Sequence, residues 1–332
     1  MDNNKGRYTF PDDSFLGQME EKVAPFLKEK VQEGNCTGWD GTGLHYYYAN
    51  REHAKGSMVI CHGFCEFFGK YHELAYYFYE QGYSFYFLEH RGHGYSERQV
   101  REWDKVYVKD YSDYVKDLKC FLDQVVLPVM AEKGEDKQNL FLYAHSMGGA
   151  IGTLFLEQYP DYFTCAVLSS PLMELNLGKY PKIVVNLLLL RAKLLRRETD
   201  YVPGQKGFDG VRVFAGSSAM SKPRYEYAFR MRERDVHNRT YGGCYSWTGA
   251  SIRATKKLQK NAAKVSIPVL LFQAGQDTMV KKKGQDIFCK RAKNVQCVYF
   301  EDAKHELFNG TAKIRDSYYE KLFEFLDANR KR

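Results

Sequence analysis

The chain has 332 residues, and 44% of them are hydrophobic, which is enough for the core of one large domain and excludes a disordered chain. The net charge is +8, and most of the excess lies between residues 181 and 240, where 13 basic side chains accompany 6 acidic ones. The rest of the chain is close to neutral, so this region would account for any preference for anionic partners.

The start of the chain, the apolar runs and the cysteines bear on the cellular compartment. Residues 1–5 contain no apolar segment of the kind that a secretory signal needs. The longest apolar run, residues 183–195, is interrupted by polar side chains and is too short to span a bilayer. The eight cysteines show no Cys-x-x-Cys pair. We therefore expect a cytoplasmic, reducing setting without a dense disulfide scaffold, and membrane association, if any, at the surface.

Strand and helix patterns alternate along most of the chain. Residues 14–33 have helical periodicity, and residues 44–49 resemble a strand. Further strands are predicted at 57–61, 83–88, 139–144, 165–169, 267–273 and 296–300, and further helices at 71–81, 111–131, 147–158, 247–260, 281–292 and 312–329. This alternation predicts an α/β domain with a mostly parallel central sheet covered by helices on both faces.

The alternation stops once, after Pro171. Residues 171–245 contain an apolar helix at 181–195 and then an irregular stretch rich in Gly and Arg. We interpret this segment as a helical cap inserted into a single core domain formed by residues 1–170 and 246–332.

The segment Ala144-His145-Ser146-Met147-Gly148 lies between a predicted strand and a predicted helix. It matches the nucleophile elbow Gly-x-Ser-x-Gly, with Ala in the first Gly position. Small residues two places before and after the serine let the strand and the helix pass closely, and the tight turn lifts the serine oxygen above the sheet. We predict that Ser146 is a catalytic nucleophile.

Two backbone amides are candidates for an oxyanion hole. His62-Gly63-Phe64 follows the strand at 57–61, where the second donor of such a hole usually lies, and the Met147 amide follows the nucleophile. The Phe64 and Met147 N–H groups would each stabilise the transition state by about 3–4 kcal/mol. His62 is a candidate substrate contact, although a hydrogen bond that shapes the loop is the simpler role.

Chain order selects the base and the acid, because the acid and then the histidine follow the serine in this kind of site. Only His237 and His305 follow Ser146, and His305 stands just past the last strand. Asp277 follows a strand and a turn at Gly275, at the sheet edge where open α/β sheets build their sites. We predict His305 as the base and Asp277 as the acid; Asp302 and Glu306 are alternatives too close to His305 to reach its far nitrogen easily.

Other motifs suggest contacts rather than chemistry. His90 and His93, in the Gly-rich stretch 89–96, have no third ligand nearby, so we expect a rigid loop and no metal or other cofactor. No nucleic-acid motif accompanies the basic region. Its arginines, Arg196 and Arg197 among them, are candidates to contact a phosphate-bearing substrate or an anionic membrane, or they form a solvated face. Trp247 is a candidate to line an acyl pocket or to anchor the cap.

Five motifs together resemble the lysophospholipase and monoacylglycerol lipase group of α/β-hydrolases. They are Cys61-His-Gly-Phe-Cys-Glu66, Glu89-His-Arg-Gly-His-Gly-Tyr-Ser96, Ala144-His-Ser-Met-Gly-Gly149, Asp277 and Asp302-Ala-Lys-His305-Glu306. Thr240-Tyr-Gly-Gly and Ser246-Trp247 are similar to the branch of bacterial inner-membrane lysophospholipases. The likeness covers residues 40–330, and Glu89 replaces the Asp that usually begins the second motif.

The resemblance implies an α/β-hydrolase fold, the triad Ser146, Asp277 and His305, the oxyanion donors Phe64 and Met147, and a helical cap over an acyl pocket. It also implies hydrolysis of carboxylic esters of small monoacyl lipids without a cofactor. An apolar cap helix and basic charge favour a lysophospholipid, followed by a monoacylglycerol and a short-chain ester. Acyl transfer by the same fold and ligand binding without catalysis remain alternatives, although a binding protein would typically lack a triad member.

Overall fold

The computed structural model describes residues 8–331, and its centre is a sheet of eight strands. In chain order they are β1 (Gln32–Thr37), β2 (Gly43–Ala49), β3 (Ser57–Cys61), β4 (Ser84–Leu88), β5 (Leu140–His145), β6 (Cys165–Ser169), β7 (Val269–Ala274) and β8 (Val295–Phe300). The spatial order is β1-β2-β4-β3-β5-β6-β7-β8. β2 is antiparallel to both of its neighbours, and every other pair is parallel. The predicted α/β fold is confirmed.

Helices cover both faces of this sheet. The helix at the start runs continuously through Phe15–Gln18, Met19–Val23 and Ala24–Lys30, and a second long helix through Tyr111–Phe121, Leu122–Val126 and Leu127–Glu132. The remaining helices of at least nine residues are His72–Glu80, Met147–Gln158, Lys182–Leu194, Lys222–Arg234, Tyr245–Asn261, Lys282–Arg291 and Ala312–Asn329.

The core consists of two apolar layers, one on each face of the sheet. Successive residues of a strand point to opposite faces, so Val59 packs in one layer and Met58 and Ile60 in the other. In β5, Leu142 and Tyr143 divide in the same way. β3 and β5 are buried along their whole length, which is the burial expected for central parallel strands.

Three elements differ from the sequence prediction: the first helix, β1 and a helix in the segment 171–245. The first helix ends at Lys30 instead of continuing to residue 33, and β1 follows it. β1 has no apolar alternation because it is an edge strand with a single buried side chain, Cys36. Its extended structure comes from backbone pairing with β2. In the segment predicted to be irregular, residues 222–234 form the helix Lys222–Arg234, with Pro223 in its first turn, where proline is favourable.

One disulfide joins Cys289 of the helix Lys282–Arg291 to Cys297 of β8. A single bond is not a dense scaffold, but it differs from the expectation of a reducing compartment, because disulfides persist mainly in oxidising ones. Six cysteines in the described residues are free thiols, and five of them are buried.

Candidate active site

Ser146 occupies a strained turn between β5 and the helix Met147–Gln158. Its φ is 51° and its ψ is −115°, a conformation that a residue with a side chain adopts only when its surroundings impose it. A Cβ at Gly148 would lie 2.1 Å from the carbonyl oxygen of Cys61 in β3, so only glycine fits there. The helix therefore starts close against the sheet, and Ser146 lies in the turn just before it.

His305 and Asp277 form a hydrogen-bonded pair from two neighbouring loops. The Nδ1 of His305 lies 2.6 Å from the Oδ2 of Asp277. The other carboxylate oxygen accepts hydrogen bonds from the backbone amides of Met279 and Val280, at 2.8 and 3.0 Å. Burial alone would raise the pKa of Asp277, but His305 and these amides outweigh it, and the pKa is lowered. The carboxylate is thus held ionised and in a fixed orientation.

The two other candidates for the acid, Asp302 and Glu306, form no hydrogen bond with the ring of His305. Asp302 is exposed, and no hydrogen bond joins it to His305. Glu306 binds Lys70 at 2.7 Å and Asn309 at 2.8 Å. The geometry therefore favours Asp277 among the three carboxylates, because it alone contacts the histidine ring.

Ser146 and His305 line the same cavity. Within residues 8–331 no hydrogen bond joins the Ser146 hydroxyl to the imidazole. In sites without substrate this contact is often long and shortens when the substrate binds. The Met147 amide begins the helix Met147–Gln158, so it has no acceptor inside the helix. The Phe64 amide likewise has no acceptor among residues 8–331.

Buried histidines hold the loop that carries Phe64. The Nδ1 of His62 lies 2.8 Å from the Gly63 oxygen, and its Nε2 accepts a hydrogen bond from the His90 amide. The Nε2 of His93 accepts one from the Cys65 amide. Burial lowers the pKa of His62 to about 4 and places the pKa of His93 well below its ordinary value, so both rings stay neutral and each Nε2 can accept a hydrogen bond from a backbone amide.

A buried ion cluster lies beside the histidine. Lys70 donates to Glu66 and to Glu306, each at 2.7 Å. Burial alone would raise the pKa values of both carboxyl groups, but the ammonium of Lys70 outweighs it, and both are lowered. The ring centroids of His145 and His305 lie 4.9 Å apart with the rings tilted, and burial lowers the pKa of His145 to about 4. This cluster therefore carries one positive and two negative charges at the cavity wall.

The cavity has a volume of about 590 Å³ and two kinds of lining. Its apolar wall is largely built by residues 171–245, including Leu175, Leu188, Leu189, Val202, Val213 and Phe229. Its polar wall contains the ion cluster and Arg232. Trp247 also lines the cavity, with its ring 4.2 Å from that of Phe64.

Three of the predicted substrate contacts lie elsewhere. His62 is fully buried and is committed to loop hydrogen bonds, so it does not reach the cavity. Arg196 and Arg197 are exposed on the outer surface, and Arg197 binds Asp200 at 2.6 Å. All three side chains therefore lie outside the cavity lining, and substrate contact by them stays a prediction. Lys70 and Arg232 line the cavity instead; the sequence shows only that they are basic, because the fold decides which cations face inward.

Comparisons with known proteins agree with this architecture. The family model described as "Serine aminopeptidase, S33" matches residues 52–312. "Lysophospholipase L2" of Escherichia coli strain K12 is 30% identical over 294 residues, which is 88% of this chain and 82% of that protein. "Monoacylglycerol lipase" of Mycolicibacterium smegmatis is 24% identical and covers 77% of this chain and 82% of its own.

A solved structure supports the fold separately. A soluble variant of monoglyceride lipase from Saccharomyces cerevisiae, in complex with a substrate analog, superposes with a TM-score of 0.70 at 21% identity. The alignment covers 91% of this chain and 95% of that one. The relatives confirm the resemblance found in the motifs, and the chain belongs to the S33 serine aminopeptidase family of α/β-hydrolases.

Proposed function

We propose that this protein is a serine hydrolase that cleaves carboxylic esters of monoacyl lipids, with Ser146 as nucleophile, His305 as base and Asp277 as acid. The observation that carries the proposal is the pair of His305 and Asp277 at the cavity that also holds the strained Ser146. A nucleophile on such a turn, a base and a base-orienting carboxylate are the parts that nucleophilic ester cleavage requires.

The reaction proceeds through an acyl-enzyme. The Ser146 oxygen attacks the ester carbonyl while its proton passes to the Nε2 of His305, and Asp277 stabilises the imidazolium. The Phe64 and Met147 amides bind the oxyanion. The intermediate collapses as His305 gives its proton to the leaving alcohol. A water then gives a proton to His305 and attacks the acyl carbon, and the fatty acid leaves as Ser146 regains a proton.

The lining of the cavity supports a lipid acyl group. Its apolar wall suits an acyl chain, whereas the polar wall beside the oxyanion loop suits the alcohol part of the ester. The relatives named lysophospholipase and monoacylglycerol lipase support the same class of substrate. We place lysophospholipids first, monoacylglycerols second and short-chain esters third.

The test combines active-site labelling with a substrate panel. A fluorophosphonate probe should label the protein at Ser146, and Ser146→Ala should lose both labelling and ester hydrolysis, by roughly 10⁵-fold or more. Lysophospholipids, monoacylglycerols and p-nitrophenyl esters of graded length then rank the substrates. Full activity of Ser146→Ala would overturn the mechanism. Products acylated on an added alcohol, in place of free fatty acid, would reassign the enzyme to acyl transfer.

The helix Lys182–Leu194 also has a surface that suits contact with a membrane. The helix Lys182–Leu194 exposes Ile183, Leu187, Leu190 and Leu194, at 70%, 60%, 53% and 74%. These spacings place them along one side of the helix, while Val185 and Leu188 line the cavity. Basic residues flank this apolar face: Lys182, Arg191, Lys193, Arg196 and Arg197.

An apolar face bordered by basic side chains binds an anionic bilayer surface peripherally. Among residues 8–331 there is no helix with the length and hydropathy to cross a bilayer. We therefore assign this helix to reversible contact at the lipid surface, next to the cavity that takes the lipid.

A further inference from the structure

The cavity contains one cation without a carboxylate partner. Arg232, on the helix Lys222–Arg234, has no acidic oxygen within 4.0 Å among the residues that the structure describes. Its Nη2 donates to the Cys65 carbonyl, and its buried Nε has no partner among those residues. The guanidinium lies 5.6 Å from the Phe67 ring and 6.0 Å from the Tyr241 ring.

The other basic side chains at the cavity are already neutralised. Lys70 sits between Glu66 and Glu306, so an anion near it would meet two carboxylates. Arg224 is bound by Glu73 and, at 2.7 Å, by Asp12. An anionic group in this cavity would therefore be attracted to Arg232 and repelled from the ion cluster.

The position of Arg232 relates it to the reacting ester. The carbonyl that it contacts belongs to Cys65, the residue after Phe64, whose amide is the proposed oxyanion donor. A guanidinium has five donors in a fixed planar arrangement that matches the oxygens of a phosphate. In a lysophospholipid the phosphate is joined to the acyl ester only through the three-carbon glycerol. With its ester carbonyl at the oxyanion loop, such a substrate would therefore place its charged phosphate close to that loop.

We propose that Arg232 binds the phosphodiester of a glycerophospholipid head group and selects lysophospholipids over monoacylglycerols. This inference rests on the proposed ester hydrolysis and assigns its substrate preference to one side chain. Arg232 is a specificity-determining residue: it contacts the head group and takes no part in the bond changes at Ser146.

The kinetic experiment compares two substrates that share an acyl chain, 1-palmitoyl-lysophosphatidylglycerol and 1-monopalmitoylglycerol. Arg232→Gln should lower kcat/KM for the lysophospholipid by roughly 10- to 100-fold, mostly through KM, because a charge-assisted pair is lost. The same substitution should change kcat/KM for the monoacylglycerol by less than about threefold. Arg232→Lys should restore part of the loss. Arg230→Gln is the matched control, because Arg230 is exposed on the same helix and outside the cavity lining.

An equal loss on both substrates would overturn the inference, because it would mean that Arg232 only supports the oxyanion loop through Cys65. An unchanged preference in Arg232→Gln would overturn it as well. The rate on p-nitrophenyl butyrate, which carries no phosphate, reports whether the catalytic machinery is intact in each variant.

A binding measurement separates this inference from the proposed function. Calorimetry with Ser146→Ala should show binding of glycerophosphoglycerol that is lost in Ser146→Ala/Arg232→Gln and kept in Ser146→Ala/Arg230→Gln. If the wild type cleaves no ester but this binding depends on Arg232, the proposed function fails and the head-group site stands. Inorganic phosphate that binds as tightly as the phosphodiester would show a site for free phosphate, and would overturn the head-group assignment.

Discussion

The Oδ2 of Asp277 lies 2.6 Å from the Nδ1 of His305, while two backbone amides hold the opposite oxygen of the same carboxylate. This arrangement fixes both partners, because neither the carboxylate nor the ring can turn without losing a hydrogen bond. It also determines the tautomer: with the proton on Nδ1, the Nε2 is left to accept one from the nucleophile.

We therefore expect Asp277→Asn to lower kcat on a p-nitrophenyl ester by roughly 10³- to 10⁴-fold, since an amide does not hold this tautomer or stabilise the imidazolium. Asp302→Asn is the control, because Asp302 is exposed and does not contact His305. It should keep nearly full activity. Equal losses in both variants, or a larger loss in Asp302→Asn, would move the acid away from Asp277.

The sequence predicts this candidate site from two signals that a single sequence carries, a local motif and the order of residues along the chain. The small residues around Ser146 and the order of Ser146, Asp277 and His305 can be recognised from one sequence. The amides of Met279 and Val280 and the histidines that hold the loop of Phe64 leave no comparable signal, because they act through backbone groups or long-range pairing.

The buried Glu89 gives the stability of the protein a specific pH dependence. Burial raises its pKa to about 7 from an ordinary value of 4.5, although its carboxylate accepts hydrogen bonds from the amides of Tyr95 and Phe68. Between these two pH values the folded state keeps a proton that the unfolded state releases. The free energy of unfolding should therefore fall as the pH rises through this window, by up to about 3 kcal/mol, and this part should level off above pH 7.

Chemical denaturation of the wild type and of Glu89→Gln, from about pH 5 to pH 8, measures this contribution. The amide cannot ionise, so the free energy of unfolding of the variant should lack this decrease. The variant should therefore become more stable relative to the wild type as the pH rises. A difference that stays constant across the range would show that Glu89 does not titrate in this window.

Arg91 is held by two carboxylates of unequal burial. It donates to Asp117, which is fully buried on the helix Tyr111–Phe121, and at 2.9 and 3.0 Å to Asp40, which is one-third exposed. Removing the buried partner leaves the buried guanidinium with only the partly exposed Asp40 to compensate its charge, so Asp117→Ala should lower the free energy of unfolding by about 3–5 kcal/mol.

Asp40→Ala should cost less, about 1 kcal/mol, because solvent reaches the Asp40 side of the pair. Urea denaturation of the two variants checks this order. A larger cost at Asp40 than at Asp117 would show that burial does not control the strength of this cluster.

The sequence carries the least information about those elements whose structure depends on tertiary contacts. β1 is a polar edge strand, so its sequence lacks the alternation that marks a strand with one buried face. In the insertion, composition shows that the region is basic and that residues 183–195 are apolar. It does not show that Arg232 faces the cavity while Arg196 and Arg197 are exposed, because that depends on how the helix Lys222–Arg234 and the turn after the helix Lys182–Leu194 pack.

The exposed apolar face of the helix Lys182–Leu194 leads to the last prediction. Each leucine that enters the interface contributes about 1.5–3 kcal/mol, so Leu187→Glu/Leu194→Glu should weaken binding to vesicles by at least 10-fold. The substitutions should leave the rate on a dissolved p-nitrophenyl ester unchanged, because neither side chain lines the cavity. Val236→Glu is the matched control, since Val236 is an exposed apolar residue outside this helix.

Co-sedimentation with vesicles of phosphatidylcholine, with and without phosphatidylglycerol, measures the binding. The wild type should bind the anionic vesicles more tightly. This preference should shrink as the salt concentration increases, because salt screens the attraction between the flanking lysines and arginines and the anionic lipids. Arg196→Glu/Arg197→Glu should reduce the preference for anionic vesicles while leaving Arg232 to select the head group. If these charge reversals instead changed the preference between dissolved lysophospholipid and monoacylglycerol, the outer arginines would belong to the substrate site after all.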